Sequence, residues 1–124
     1  MKIFIIGGSG VVGSELINQF IKNNDDVYFT YFQNKIEQNN NGIRLDITNK
    51  KDTIDIIKKI NPDIVIHTAA LTNVDLCETN NKLACMINVD GTKNVVEGCK
   101  ITGSKIVYIS TSFVFDGRKS EYYE

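Results

Sequence analysis

The feature that most constrains the fold is a cluster of glycines between a short apolar run and an amphipathic stretch. Gly7, Gly10 and Gly13 satisfy the spacing G-x-x-G-x-x-G, and an overlapping G-x-G-x-x-G starts one residue later. The run Lys2 to Ile6 is β-branched and apolar, which predicts a buried strand. The stretch Val11 to Lys22 repeats apolar residues at helical spacing. Strand, glycine turn and helix in this order predict a βα unit at the start of the chain.

Glycine suits such a turn for two physical reasons. A tight turn requires unusual φ and ψ angles, and a missing side chain lets backbone N–H groups approach a pyrophosphate. The positive end of the helix dipole then faces the phosphates. We therefore expect a dinucleotide at this turn, against the alternative of a glycine-rich βα turn without a ligand. The residues predicted to meet it are Gly7, Gly10, Val11, Val12 and Gly13, the last also allowing close helix–strand packing.

Beyond the turn, apolar runs continue to alternate with amphipathic stretches. The alternation predicts βαβ units, a parallel sheet and, with right-handed crossovers, a three-layer open α/β fold. Pro62 is expected to close the second helix, and Gly103 to cap the long third one. The predicted strands are Val27–Tyr31, Ile43–Leu45, Asp63–His67 and Lys105–Ser110; the predicted helices are Asp52–Ile60 and Leu83–Ile101; Gln33–Gly42 is predicted to be a loop.

Composition excludes several classes of protein. The chain has 124 residues, a formal net charge of −1 and 42% hydrophobic residues, which fits one globular domain without the basic excess of a nucleic-acid-binding surface. No apolar run approaches the roughly 20 residues of a membrane helix, and the short apolar N-terminus meets glycine instead of a cleavage site. The three cysteines lack CxxC spacing, so we expect neither disulfides nor a metal site. The same cysteine usage predicts a cytoplasmic location.

The end of the second predicted strand bears on the choice of cofactor. In NAD-binding folds an acid about 20 residues after the glycines binds the ribose 2′-hydroxyl. Here no acid appears before Glu37, and Lys35 lies nearby. This pattern favours NADP, with NAD still possible; the alternative is that Lys35 is a solvated loop charge.

Five segments in this order resemble the extended short-chain dehydrogenase/reductases. Within that family, Ala70 to Asp75 followed by Ser110 to Gly117 is most similar to the dTDP-4-dehydrorhamnose reductases, which act on nucleotide sugars. The resemblance covers essentially the whole chain and implies a Rossmann-like fold. The segments are Gly7–Gly13, Leu45–Thr48, Pro62–Ala70, Asn88–Thr92 and Ile109–Thr111.

The resemblance also implies roles for single residues. Besides the glycines, the implied cofactor residues are Asp46 and Ile47 along the adenine, Ala69 and Ala70 beside the nicotinamide ribose, and Asn88 near the active site. The implied substrate residues are Thr72, Val74 and Phe113, and the implied catalytic hydroxyl is that of Thr111. Three alternatives stay open: Asp46 as an acid at a helix start, Asn88 as an internal structural amide, and Thr111 as a hydroxyl that bonds backbone.

The sequence departs from the family pattern where the chemistry is decided. The family's active tyrosine and its lysine four residues on, which lowers the phenol pKa, have no counterpart after Ser110. The Tyr31–Lys35 match lies on the adenosine side and is read as coincidence. Ser112 and Phe113 replace an Asp-Tyr pair, and Ile6 replaces a threonine. The chain's single histidine, His67, stands where the reductases commonly have asparagine, and a structural role is expected for it.

From these observations we expect residues 1–124 to form the NAD(P)-binding domain of a longer nucleotide-sugar reductase, truncated before the catalytic helix and substrate domain. The parent protein would transfer hydride from NADPH to a 4-keto-sugar nucleotide and would be able to form a homodimer; the piece alone would be inactive. One alternative is a non-catalytic NAD(P)-binding regulatory module. Another is a sugar-nucleotide dehydratase or epimerase.

Overall fold

A computed structural model describes residues 1–35, 41–111, 114–119 and 121–122. All strand pairs in the sheet are parallel, and the order is β3-β2-β1-β4-β5. The chain therefore starts in the middle of the sheet, builds outward to one side, and crosses back to the other. The strands are β1 (Lys2–Ile6), β2 (Asp26–Tyr31), β3 (Gly42–Arg44), β4 (Ile64–His67) and β5 (Lys105–Tyr108).

Helices cover both faces of this sheet. Helix α1 packs with β1 and β2 on one face, whereas α2 and α5 pack together on the opposite face. The three-layer parallel architecture that the sequence predicts is thus confirmed. The helices are α1 (Val11–Lys22), α2 (Lys50–Ile60), α3 (Val74–Thr79), α4 (Asn81–Ala84) and α5 (Thr92–Thr102), with a π-helical segment (Cys85–Gly91) between the last two.

The core lies on the two faces of β1. Phe4 and Ile6 face α2 and α5, and Ile3 and Ile5 face α1, all four without solvent exposure. A strand buried on both faces is apolar at every position, which explains why the run has no polar alternation. The single-face periodicity of α1 follows from the same arrangement, since Ile17 is buried there.

Helix ends differ from the predictions where capping residues act. Helix α2 starts at Lys50 instead of Asp52, because the Asn49 side chain accepts a hydrogen bond from the Asp52 N–H. The same helix is closed by Asn61, whose φ is 48°, before Pro62 is reached. At the end of α5, Gly103 has a φ of 73°, which confirms the predicted cap.

Two elements differ in kind from the predictions. Helix α3 was not predicted; Asn73 starts it by accepting a hydrogen bond from the Leu76 N–H. The helix predicted over Leu83–Ile101 is part of a longer helical run, 81–102, and is not uniform, because the π-helical segment lies inside it. π-helical turns are rare and mark places where a helix gains one residue against its neighbours.

Strand β5 contrasts with the buried strands. It ends at Tyr108, two residues short of the prediction, and it is solvated on both faces, with Val107 46% and Tyr108 49% exposed. Among the described residues, its partner on the sheet is β4 alone. Within the same residues, no helix is long and apolar enough to cross a bilayer.

Candidate cofactor site

The glycine-rich turn is held against β2 by hydrogen bonds from its own backbone N–H groups. The Gly7 N–H donates to Thr30 Oγ1 at 3.0 Å, and the Gly8 N–H donates to the Thr30 carbonyl at 2.7 Å. Gly7 has a φ of 93°, and a Cβ there would lie 2.6 Å from the Ala69 nitrogen. The turn therefore needs glycine at position 7 for both its conformation and its close approach to the segment after β4.

The start of α1 packs closely on the same turn. A Cβ on Gly13 would lie 2.3 Å from the Gly7 carbonyl oxygen, so only glycine lets the helix approach. Gly10, the residue before the helix, makes no side-chain cap, and a Cβ there would meet nothing closer than 3.4 Å. The first-turn N–H groups of α1 therefore lack a capping side chain, which suits them to an anionic ligand.

A pocket of about 610 Å³ opens beside this turn, over the carboxyl ends of β1, β2 and β4. Its volume falls in the range of sites for cofactor-sized ligands. Pockets in open α/β sheets lie at these strand ends, where the strand order reverses. Of the predicted residues, the lining includes Gly7, Gly10, Asp46, Ile47, Ala69 and Ala70.

Other predicted residues lie outside this lining. Val11 and Val12 are exposed at the start of α1, and Gly13 is buried beneath the turn. Thr72 and Val74 are exposed beyond the segment after β4, where Val74 begins α3. The structure thus brings six of the predicted cofactor residues together in one lining and leaves Thr72 and Val74 outside it.

Asp46 lies at one end of the pocket, after β3, in a compact turn. Its Oδ1 accepts hydrogen bonds from the Thr48 N–H at 2.9 Å and from the Thr48 hydroxyl at 2.7 Å. The side chain that caps α2 is that of Asn49, so Asp46 is not the N-cap of that helix. The Asp46 turn fixes the shape of the loop that forms this wall of the pocket.

The same end of the pocket contains residues that sequence reasoning missed. Phe32, Gln33 and Asn34 line it after β2, and Arg44 Nε donates to the Phe32 carbonyl at 3.3 Å. The alternating pattern of the strands predicts neither the place of these three residues in the lining nor the Arg44 hydrogen bond. Both depend on the pairing of β2 with β3. Lys35, the cation that the sequence singled out, is exposed beside them.

The opposite end of the pocket is formed by the segment after β4 and the helical run above it. Thr68 and Leu71 join Ala69 and Ala70 in the lining, together with Met86 of the π-helical segment. Asn88 does not line the pocket; its amide bonds the Leu71 backbone, with the Leu71 N–H 2.8 Å from Oδ1 and Nδ2 3.0 Å from the Leu71 carbonyl. Asn88 therefore contributes to this wall through the backbone that it holds.

Of the described residues near the end of the chain, 111, 114–119 and 121 are exposed and Tyr122 is half-buried. Thr111 is exposed, and its carbonyl accepts a 3.4 Å hydrogen bond from the Val114 N–H; Phe113 lies outside the described residues. The Tyr122 phenol donates to Asp116 at 2.6 Å, which lowers the pKa of that carboxyl, with the Arg118 N–H assisting. Tyr122 is thus paired with an acid.

The cysteines show no activated thiol. Burial raises the pKa of Cys99 to about 11, which makes the thiolate inaccessible near neutral pH. Cys77 is half-buried, with its Sγ 3.5 Å from the Leu71 carbonyl, and Cys85 is exposed. Within the described ranges, no three His, Cys, Asp or Glu side chains lie close enough together to hold a metal ion.

The fold and the pocket together define an α/β protein of the Rossmann type. The chain belongs to the family described as RmlD substrate binding domain, whose model matches residues 1–124. A dTDP-4-dehydrorhamnose reductase from Aggregatibacter actinomycetemcomitans is 32% identical over 99% of this chain and 39% of its own length. The chain thus spans about two fifths of the length of this curated relative.

Solved structures agree with this placement. A hypothetical dTDP-4-dehydrorhamnose reductase from Sulfolobus tokodaii superposes with a TM-score of 0.91 at 37% identity, covering 100% of this chain and 44% of that one. The enzyme of the same name from Bacillus anthracis, solved in complex with NADP, superposes with a TM-score of 0.81 at 32% identity. That match covers 96% of this chain and 40% of the other.

Proposed function

We propose that this chain is the NAD(P)-binding part of a nucleotide-sugar reductase, whose whole form transfers hydride from NADPH to a 4-keto-sugar nucleotide. The observation that carries the proposal is the pocket over the strand ends, with the uncapped start of α1 at its floor. The names of the matched proteins support the reaction and the substrate class. Association of two copies, which the family resemblance implies, stays a prediction.

The residues present fit a dinucleotide. A Cβ at Gly10 would meet only the Gly7 carbonyl oxygen, at 3.4 Å, and the backbone N–H groups that begin α1 would bind the phosphates. The loop containing Asp46 and Ile47 would hold the adenine, and Ala69 and Ala70 would hold the ribose beside the nicotinamide. A bound nicotinamide supplies the hydride. The protein's own contribution is to orient the cofactor and to offer the Thr111 hydroxyl toward the substrate carbonyl.

The preference for NADP is supported by charge at the end of β2. Neither Phe32, Gln33 nor Asn34 is acidic, so no carboxylate stands where it would repel a 2′-phosphate. The Arg44 guanidinium donates a hydrogen bond to the carbonyl of Phe32, the first of these three pocket residues. Arginine is well suited to phosphate because it is always charged and presents several donors in one plane.

Titration of the 124-residue chain with NADPH and with NADH, followed by cofactor fluorescence, tests the proposal. We expect NADPH to bind about tenfold more tightly than NADH. Gly10→Val is expected to abolish the binding of both cofactors. The chain should still fold, because φ at Gly10 is −77° and suits any residue. Arg44→Gln is expected to weaken NADPH alone. If the unaltered chain binds neither cofactor, the proposed function is wrong.

A regulatory module would bind the same cofactors, so binding alone does not separate it from the reductase. The distinction requires the continuation of the chain in the encoded protein. A downstream Tyr-x-x-x-Lys pair and turnover of a 4-keto-sugar nucleotide by the whole protein would support the reductase. Binding of NADPH without turnover by the whole protein would support the module.

A further inference from the structure

The structure contains a buried polar connection between the sheet and the pocket wall. His67, at the end of β4, has no solvent exposure, and its Nε2 lies 3.0 Å from Thr92 Oγ1 at the start of α5. Its other ring nitrogen, Nδ1, is buried without a hydrogen-bond partner among the described residues. A buried histidine with one satisfied nitrogen requires an explanation, since buried polar atoms are normally paired.

The hydrogen bond beyond Thr92 fixes the direction of this connection. The Thr92 hydroxyl lies 2.8 Å from the Asn88 carbonyl oxygen, which can only accept, so the hydroxyl proton points there. Thr92 Oγ1 then accepts from His67, which must carry its proton on Nε2. The opposite tautomer would bury an N–H donor at Nδ1 and leave Thr92 with one proton for two acceptors. Burial also lowers the pKa of His67 to about 4, which keeps the ring neutral.

The connection continues from Asn88 into the wall of the pocket. The Asn88 amide makes two hydrogen bonds to the backbone of Leu71, 17 residues earlier in the chain. Asn88 belongs to the π-helical segment, and Thr92 is the first residue of α5, so the Thr92 hydroxyl spans the junction between the two. The position of Asn88 therefore depends on where Thr92 is held against β4.

We propose that His67 and Thr92 are positioning residues that act through Asn88 on Leu71 and keep the wall over β4 in the shape that the nicotinamide half of the cofactor requires. The proposal rests on the proposed function, because it concerns the same pocket. Among the described residues, the adenosine end, formed by the residues after β2 and β3, is bonded to α5 by Asn94, whose Nδ2 donates to the Ile47 carbonyl, and not by His67, Thr92 or Asn88. Loss of the connection therefore has unequal effects on the two halves of the cofactor.

The test compares Thr92→Val with Thr92→Ser in the 124-residue chain. The probes are NADPH and adenosine 2′,5′-bisphosphate, which contains only the adenosine half. We expect Thr92→Val to weaken NADPH about tenfold and the bisphosphate less than about twofold. Thr92→Ser keeps the hydroxyl and is expected to restore NADPH binding. A general structural role would weaken both probes together and would overturn the proposal.

A second pair of variants covers the case in which Thr92→Val does not fold. His67→Gln can place an amide N–H near Thr92, whereas His67→Met has similar bulk and no donor. We expect His67→Gln to keep the ratio of NADPH affinity to bisphosphate affinity that the unaltered chain has. We expect His67→Met to lower this ratio. Equal behaviour of the two variants would overturn the proposal.

A spectroscopic readout tests the connection independently of cofactor binding. Nitrogen-15 NMR of the unaltered chain is expected to show His67 protonated on Nε2 and not on Nδ1 at neutral pH. A proton on Nδ1 would overturn the direction of the hydrogen bonds even if NADPH binds. Failure of the unaltered chain to bind either probe would overturn the proposed function, and this proposal with it.

Discussion

Two walls of the pocket, one at the glycine turn and one over β4, are built by different means. At the glycine turn, the wall is mostly backbone: the Gly8 N–H donates to the Thr30 carbonyl, and Gly13 lets α1 approach to contact distance. At the end over β4, the wall is held by side chains from distant parts of the chain, through His67, Thr92 and Asn88. A backbone wall tolerates no added atoms, whereas a side-chain wall tolerates substitutions that preserve the hydrogen bonds.

The largest effect is expected at the glycine end, with Gly13→Ala. The new Cβ would lie 2.3 Å from the Gly7 carbonyl oxygen, so α1 must move away from β1. We expect a loss of about 4 kcal/mol in the free energy of unfolding, measured by urea denaturation, and no binding of NADPH. Gly10→Ala is the matched control, with its nearest contact at 3.4 Å. Equal stability of the two variants would contradict the backbone account of this wall.

The next effect concerns pH and the end over β4. Burial lowers the pKa of His67 from its ordinary value of 6.5 to about 4. Between these values the unfolded chain takes up a proton that the folded chain does not, so stability falls as the pH falls from 6.5 to 4. Above pH 6.5 both states are neutral and the contribution is constant. The full loss by pH 4 corresponds to about 3 kcal/mol.

Denaturation of the unaltered chain and of His67→Gln across this pH range measures that contribution. The carboxylates titrate in both proteins, so the difference between the two curves isolates the histidine. The aromatic ring that faces His67 is that of Tyr108, at 5.5 Å between ring centroids. Parallel curves for the two proteins would show that His67 is protonated equally in both states.

The smallest effects concern two threonines that bond the glycine turn, Thr30 from β2 and Thr68 from the segment after β4. Thr30→Val removes the acceptor of the Gly7 N–H, and Thr30 is buried, so we expect a loss of about 2 kcal/mol. Thr68→Val removes a donor to the Ile6 carbonyl, which still accepts from the Thr68 N–H. We therefore expect a smaller loss, of about 1 kcal/mol in the free energy of unfolding.

Thermal unfolding of both threonine variants, with Thr30→Ser and Thr68→Ser as controls, gives the order. The serine variants keep the hydroxyl and are expected to lie close to the unaltered chain. A larger loss of stability for Thr68→Val than for Thr30→Val would indicate that the glycine turn is held mainly through Thr68.

Much of the first βα unit could be predicted because its determinants are local. The bounds of β1 and α1 are confirmed residue for residue, since an apolar run, a glycine turn and helical periodicity adjoin each other. The parallel sheet, though not the order of its strands, follows from the alternation of strands and helices. Helix starts set by asparagine caps, at Asn49 and Asn73, were harder to predict because the same residue also occurs in turns.

The amino-acid sequence by itself determined the parallel sheet, the glycine turn and the family, because these depend on spacing within a few residues. Only the tertiary structure decided that Asn88 holds Leu71, that Thr92 orients His67, and that Arg44 reaches the end of β2. Each of these contacts joins residues far apart in the chain, and their hydrogen bonds are directional. Such bonds form only where packing of the strands and helices brings the two groups together.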